Sequence, residues 1–341
     1  MQTLVYSARS YDREYLETAN HNGHELHFTD TRLEERTAVL AKGYPVVCCF
    51  VDDNLNAPVL KQLAKEGTKL VALRSTGFNN IDLRTAEQLG IIVMRVSRYS
   101  PDAVAEFAVG MILTLNRHIH KAYNRVREGK FLLDGLMGFD LRGKTVGIVG
   151  TGKIGSVLAQ ILQGFGCHLL GYDINENQEC LSLGMQYVSL KELLSESDIV
   201  SLHAPLTPQT HHMINAETIS HIKPGLMLIN TSRGALVDTK ALIPALKKGL
   251  LGAVGLDVYE EESHLYFQDL SDEIISDDVI TRLLTFPNVL ITGHQAFFTC
   301  ESMTIIAETT IQNISDFAAG RVNENTLKPK ELIRPAHKSK E

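Results

Sequence analysis

Gly150, Gly152 and Gly155 stand at the spacing Gly-x-Gly-x-x-Gly, after the apolar run Thr145–Val149 and at the head of a helical pattern over residues 154–162. The string alone is weak evidence; a strand before it and a helix after it are the context that gives it meaning. Gly150 permits the tight turn, Gly152 lets a pyrophosphate approach the backbone, and Gly155 allows close packing of helix on strand. Lys153 and Ile154 open that helix, whose unpaired N–H groups offer partial positive charge to phosphates. The next apolar run ends at Asp173, 18 residues beyond Gly155. A carboxylate there accepts hydrogen bonds from ribose hydroxyls and repels a 2′-phosphate. Residues 174–177 bring no cation, so the expected cofactor is NAD rather than NADP.

A nicotinamide cofactor exchanges hydride with a carbonyl carbon. For a 2-oxo acid, that chemistry needs a cation to hold the carboxylate and polarise the carbonyl, and an acid to protonate the forming alkoxide. Arg233, Glu262 and His294 each follow an apolar strand-like run, where open α/β sheets gather their ligands. Taken singly they are unremarkable: a lone histidine is more often structural, and Glu262 ends an acidic run, Glu260-Glu261-Glu262, that would usually face water. Their shared placement at strand ends is the functional signal.

The elements that must position these groups are legible as alternating strands and helices. Before residue 100, strand-like runs fall at 3–6, 45–50, 70–73 and 91–94, separated by helical patterns that Gly67 and Gly90 stop. After residue 140, six more fall at 145–149, 168–172, 199–202, 227–230, 253–256 and 289–292. Continuous apolar strands between helices predict parallel sheets covered on both faces, and six strands match a dinucleotide fold. Ser100 and Pro101 start a long helix with Val104, Phe107, Ala108, Met111, Ile112 and Leu115 on one face. It is expected to bridge two lobes or to pack between subunits. Pro244 lies inside a helical pattern over 239–248 and predicts a kink or a later start, since an interior proline costs about 3 kcal/mol.

Three strings, Asn230-Thr231-Ser232-Arg233-Gly234, Asp257-Val258-Tyr259-Glu260-Glu261-Glu262 and Gly293-His294-Gln295-Ala296-Phe297, resemble signatures of the D-isomer-specific 2-hydroxyacid dehydrogenases. The likeness runs from Val5 to about Leu327 and is nearest to the bacterial fermentative D-lactate branch. It includes Arg74-Ser75-Thr76-Gly77, Pro101-Asp102-Ala103-Val104-Ala105-Glu106 and Ser201-Leu202-His203-Ala204-Pro205. By that resemblance His294 is the proton donor in reduction, Glu262 orients its imidazole and favours its charged form, and Arg233 clamps the substrate. Backbone N–H groups at Thr76 and Gly77 would bind the substrate carboxylate, with Tyr99 closing over it from the other lobe. Asp257 would lie near the nicotinamide and the histidine, and His203, Thr231 and Ser232 would line the cofactor. The implied reaction is reduction of pyruvate to D-lactate with NADH. Other members of the class act on glyoxylate or hydroxypyruvate, and the same fold serves NAD-sensing corepressors, which use partner-binding extensions not visible here. Glu262 speaks against a formate dehydrogenase, whose branch pairs glutamine with histidine. Phe107 departs from the histidine usual after the Ala-Glu pair, which implies altered packing. Ser75-Thr76 departs from the usual pair in the substrate loop, which bears on substrate preference.

The 341 residues suit two domains, and 44% hydrophobic with 21% charged residues is ordinary for a globular enzyme. A net charge of −7 argues against a nucleic-acid partner. The start of the chain reads as a strand rather than a signal peptide, and the most apolar helical stretch is too short to span a bilayer, so no membrane partner is expected. Five cysteines, with no Cys-x-x-Cys pair, read as reduced thiols of a cytoplasmic protein. His203, His211 and His212 lack zinc-type spacing, so no metal is expected. The resulting expectation is an α/β protein of two Rossmann-like doubly wound parallel-sheet domains with a cleft between them. Residues 1–98 plus 299–331 form a discontinuous substrate domain, residues 99–298 an NAD-binding domain, and residues 332–341 a basic, solvated tail. The resemblance also implies a homo-oligomer, a dimer or a tetramer.

Overall fold

The computed structural model describes residues 1–328, so the expected tail lies outside the described residues. The chain divides into two compact units, Met1–Ser100 with the segment from Phe298 onward, and Pro101–Phe297.

The first unit carries β1 (Gln2–Val5), α1 (Ser10–Ala19), β2 (Glu25–Phe28), β3 (Val46–Cys49), α2 (Ala57–Glu66), β4 (Leu70–Leu73), α3 (Leu83–Gln88) and β5 (Ile92–Met94). All strand pairs are parallel, in the order β2-β1-β3-β4-β5, the flavodoxin-type variant of a doubly wound sheet. Successive strand side chains point to opposite faces, and the paired cysteines display it. Cys49 packs with Leu60 and Leu63 of α2, whereas Cys48 packs with Leu16 of α1 and with Ile311 and Ile314 of a later helix. β2 escaped the sequence reading because Glu25-Leu26-His27-Phe28 is an edge strand with no fully buried residue, so it shows no apolar run.

The second unit opens with α4 (Pro101–Asn116) and α5 (Ile119–Arg127). It continues with β6 (Thr145–Val149), α6 (Lys153–Gly164), β7 (His168–Tyr172), α7 (Gln178–Ser182), β8 (Gln186–Tyr187), α8 (Leu190–Glu196), β9 (Ile199–Leu202) and α9 (Ala216–Ile219). It ends with β10 (Leu226–Asn230), α10 (Thr239–Lys247), β11 (Leu251–Leu256), α11 (Asp278–Leu284) and β12 (Val289–Ile291); α12 (Cys300–Ala318) then returns to the first unit. Seven parallel strands run in the order β8-β7-β6-β9-β10-β11-β12. The additional seventh strand is the two-residue edge strand β8, too short to read from sequence. The order reverses between β6 and β9, and ligands of such sheets bind at that switch point.

α4 is a core element of this second unit. Its Ala108, Met111, Ile112 and Leu115 pack with Val146 and Ile148 of β6, Leu158 and Leu162 of α6 and Ile229 of β10. The departure at Phe107 is accommodated there, half-buried against the same cluster. Burying a side chain such as Ile112 stabilises by about 1.5–3 kcal/mol. α10 starts at Thr239, where the Asp238 side chain accepts from the Lys240 N–H, and it continues through Pro244 rather than beginning later. Pro244 forgoes one helical hydrogen bond, but burial of Ala241, Leu242, Ala245 and Leu246 offsets the loss. No helix among the described residues is long and apolar enough to cross a membrane.

Candidate active site

The glycine loop is built as a phosphate cradle. Gly150 has φ +91° and its N–H donates to Tyr172 O at the end of β7. A Cβ at Gly150 would lie 2.6 Å from the His203 carbonyl carbon, so the loops after β6 and β9 touch through backbone at the switch point. A Cβ at Gly155 would lie 2.0 Å from Gly150 O, which no flexible side chain could relieve. Gly152, by contrast, faces open space, and as N-cap of α6 it leaves the first N–H groups without a side-chain partner. Lys153 is exposed and Ile154 half-buried beside them. Close packing beneath and free donors above suit a pyrophosphate.

Asp173 is held by a relay. The Asn177 N–H donates to Tyr187 Oη, Tyr187 donates to Thr151 Oγ1, and the Thr151 N–H and hydroxyl both donate to Asp173 Oδ2. Oδ1 accepts only a long 3.3 Å bond from the Asn175 N–H, so it keeps capacity for ribose hydroxyls. Tyr187 was missed in the sequence because it sits on β8, and the signal for β8 is two residues long.

After β9, the ring of His203 lies 2.8 Å from Ser201 Oγ through Nε2, and desolvation pushes its pKa down to about 4. Ser232 Oγ donates to Ala204 O, tying the loop after β10 to the loop after β9. Thr231 Oγ1 is buried without a partner, a donor available to a bound group. Glycine cradle, free helix N-terminus, ribose-facing carboxylate and orphaned hydroxyl together fit a dinucleotide.

The catalytic candidates gather at the ends of β10, β11 and β12. His294 Nδ1 lies 2.9 Å from Glu262 Oε1, and Oε2 of the same carboxylate accepts from the Tyr259 N–H. The imidazole is thus fixed as an Nδ1 donor, leaving Nε2 to exchange a proton. His294 has φ +54°, a strained conformation, and Asp257 holds it. Asp257 O accepts the His294 N–H, while its fully buried carboxylate accepts from Thr292 Oγ1 and from the N–H groups of Gln295 and Ala296. The geometry therefore makes Asp257 an anchor of the histidine loop. Phe267 and Phe297 flank the imidazole, with ring centroids at 5.9 and 6.5 Å.

Arg233 follows β10, half-buried, with Nη1 donating to Ser232 O. Gly234 then presses against the next loop: a Cβ there would lie 2.1 Å from the Tyr259 carbonyl carbon and 2.4 Å from Glu260 N. The loop bearing Arg233 and the segment leading to Glu262 are in backbone contact, a demand the sequence does not announce.

Thr76 and Gly77 lie after β4 in the first unit. Ser75 Oγ donates to Gly77 O, Arg95 donates to Thr76 O, and Thr76 Oγ1 is buried without a partner. Tyr99, expected to close from the other lobe, belongs instead to the same unit as Thr76 and Gly77, because the division falls after Ser100.

Residues 109–296 match the family model described as the NAD-binding domain of D-isomer-specific 2-hydroxyacid dehydrogenases. The D-lactate dehydrogenase of Escherichia coli is 50% identical over 96% of this chain and 100% of its own length. A solved structure of the pyruvate reductase of Chlamydomonas reinhardtii matches with TM-score 0.91 and 46% identity, covering 95% of this chain and 98% of that one. The D-lactate dehydrogenase of Aquifex aeolicus, solved with NAD and lactic acid, matches with TM-score 0.83 and 36% identity over 93% of this chain and 96% of that one.

Proposed function

This chain belongs to the D-isomer-specific 2-hydroxyacid dehydrogenases, and on that premise we propose that it is an NAD-dependent D-lactate dehydrogenase reducing pyruvate. The observation that carries the reading is the His294–Glu262 pair, 2.9 Å apart, at the strand ends of a sheet whose glycine loop suits a dinucleotide. When bound, NADH supplies the hydride. Arg233 holds the substrate's carboxylate and polarises its carbonyl. His294 delivers the proton to the carbonyl oxygen from Nε2, and Glu262 keeps the ring oriented through Nδ1. Thr76 and Gly77 offer backbone N–H groups to the carboxylate, and Tyr99 covers the substrate. Gly150, Gly152, Lys153, Ile154 and Gly155 take the pyrophosphate, and Asp173 takes the adenosine ribose. Thr231, Ser232 and His203 line the cofactor, while Asp257 positions the histidine loop.

The five free thiols support a reducing, cytoplasmic setting. A homo-oligomer is supported by α5, which buries no residue, and by the segment after it, where Phe131, Leu133 and Met137 are 74%, 83% and 91% exposed. Steady-state oxidation of NADH with pyruvate, glyoxylate and hydroxypyruvate, followed by chiral analysis of the product, tests the reading. Pyruvate should give the highest kcat/KM and D-lactate as product; L-lactate, or saturable turnover of none of the three, would sink it.

A further inference from the structure

His211 and His212 are adjacent in sequence, and adjacent side chains on an extended strand point apart. Here they do not. His212 adopts φ +49°, and its backbone is fixed there: its N–H donates to Ala235 O and its carbonyl accepts from Asn215 Nδ2. The turn stacks the two imidazoles, with centroids 3.9 Å apart and planes 26° apart. Both rings then face Glu260, 48 residues away in sequence. His212 Nε2 is 2.6 Å from Glu260 Oε1 and His211 Nε2 is 4.0 Å from the same oxygen. One ligand atom from each of the three residues lies within 4.8 Å of the others.

Two imidazole nitrogens and a carboxylate oxygen are a donor set for zinc and its neighbours, not for calcium or magnesium. Bonds of about 2.0–2.2 Å in tetrahedral geometry put such donors roughly 3.3 Å apart. That value falls between the two distances to Glu260, so side-chain shifts of about an ångström would close the set on one ion. His211 is exposed while His212 and Glu260 are half-buried, which leaves a path for the ion and room for water as a fourth ligand.

We propose that His211, His212 and Glu260 form a binding site for a zinc-class divalent cation, separate from the nucleotide loops and from the His294–Glu262 pair. Spacing along the sequence could not reveal it, because the third ligand arrives only through the fold. The ion would tie the turn after β9 to the segment before Glu262, and would therefore stabilise the second unit when bound.

The test uses the untagged full chain after chelator treatment, in a Cys300→Ser background that removes the exposed thiol as a rival ligand. Zinc binding is read by competition with a chelating indicator, and the unfolding temperature is read with and without zinc chloride. One equivalent should bind, and the unfolding temperature should rise. His211→Ala, at an exposed position, should weaken binding at least about tenfold and remove the rise, and Glu260→Gln should weaken it similarly. Absence of binding at about 100 µM zinc, or binding unchanged in both variants, overturns the proposal. Neither readout passes through turnover, so failure here leaves the dehydrogenase reading untouched.

Discussion

At the scale of single residues, the catalytic candidates differ in what holds them. Glu262 divides its carboxylate between the His294 ring and the Tyr259 N–H. Glu262→Gln keeps the shape but can place an amide N–H, rather than an accepting oxygen, against His294 Nδ1. Reduction should fall about 10²–10⁴-fold in kcat, with KM for pyruvate little changed, because the ring is no longer held for proton transfer. A parent-like kcat would remove Glu262 from the positioning of the ring. His203 carries a pH dependence of stability. Its pKa falls from the ordinary 6.5 to about 4 on folding because its ring is desolvated. An unfolded chain therefore binds the proton first as pH drops. The stability tied to neutral His203 is complete above about pH 6.5 and is lost progressively towards pH 4. His203→Gln should remove that component, on the order of 2 kcal/mol, from the difference between denaturant unfolding at pH 7 and at pH 4. Parallel losses in parent and variant would contradict it.

At the scale of elements, close backbone approach decides the site. Gly155→Ala would drive a Cβ into Gly150 O, and Gly234→Ala would drive one into the Tyr259 carbonyl. The first should weaken NADH binding by an order of magnitude or more, since it moves the α6 N-terminus off the cradle. The second should lower kcat by parting the Arg233 loop from the Glu262 segment, while NADH binding changes little. Fluorescence titration beside turnover distinguishes them; the same pattern in both would refute the division of labour. These two glycines also mark what a sequence discloses. Gly155 was legible because its partner lies five residues away in a known spacing. Gly234 was not, because its neighbour Tyr259 comes from the loop after another strand. The long strands were equally plain as apolar runs, whereas β2 and β8 sit at sheet edges with little to bury. His294, Glu262 and Arg233 announced themselves by strand-end placement, but the Asp257 clamp and the Tyr187 relay depend on contacts 35–39 and 36 residues apart.

At the scale of the whole molecule, each unit has its own doubly wound sheet and its own core, and the glycine loop and the proposed proton donor reside in one of them. Exposed Phe131, Leu132, Leu133 and Met137 predict self-association of that unit's surface. Leu133→Lys with Met137→Lys should lower the mass seen by light scattering towards a single chain; a parent already monomeric at micromolar concentration would dispose of the oligomer. The dehydrogenase assignment itself turns on His294. The decisive measurement pairs turnover with cofactor binding in His294→Ala. Pyruvate reduction should fall by about 10³-fold or more, because the proton donor is gone, while the dissociation constant for NADH stays within about threefold of the parent. Turnover close to the parent's in the variant would remove His294 from the chemistry and contradict the assignment at its centre.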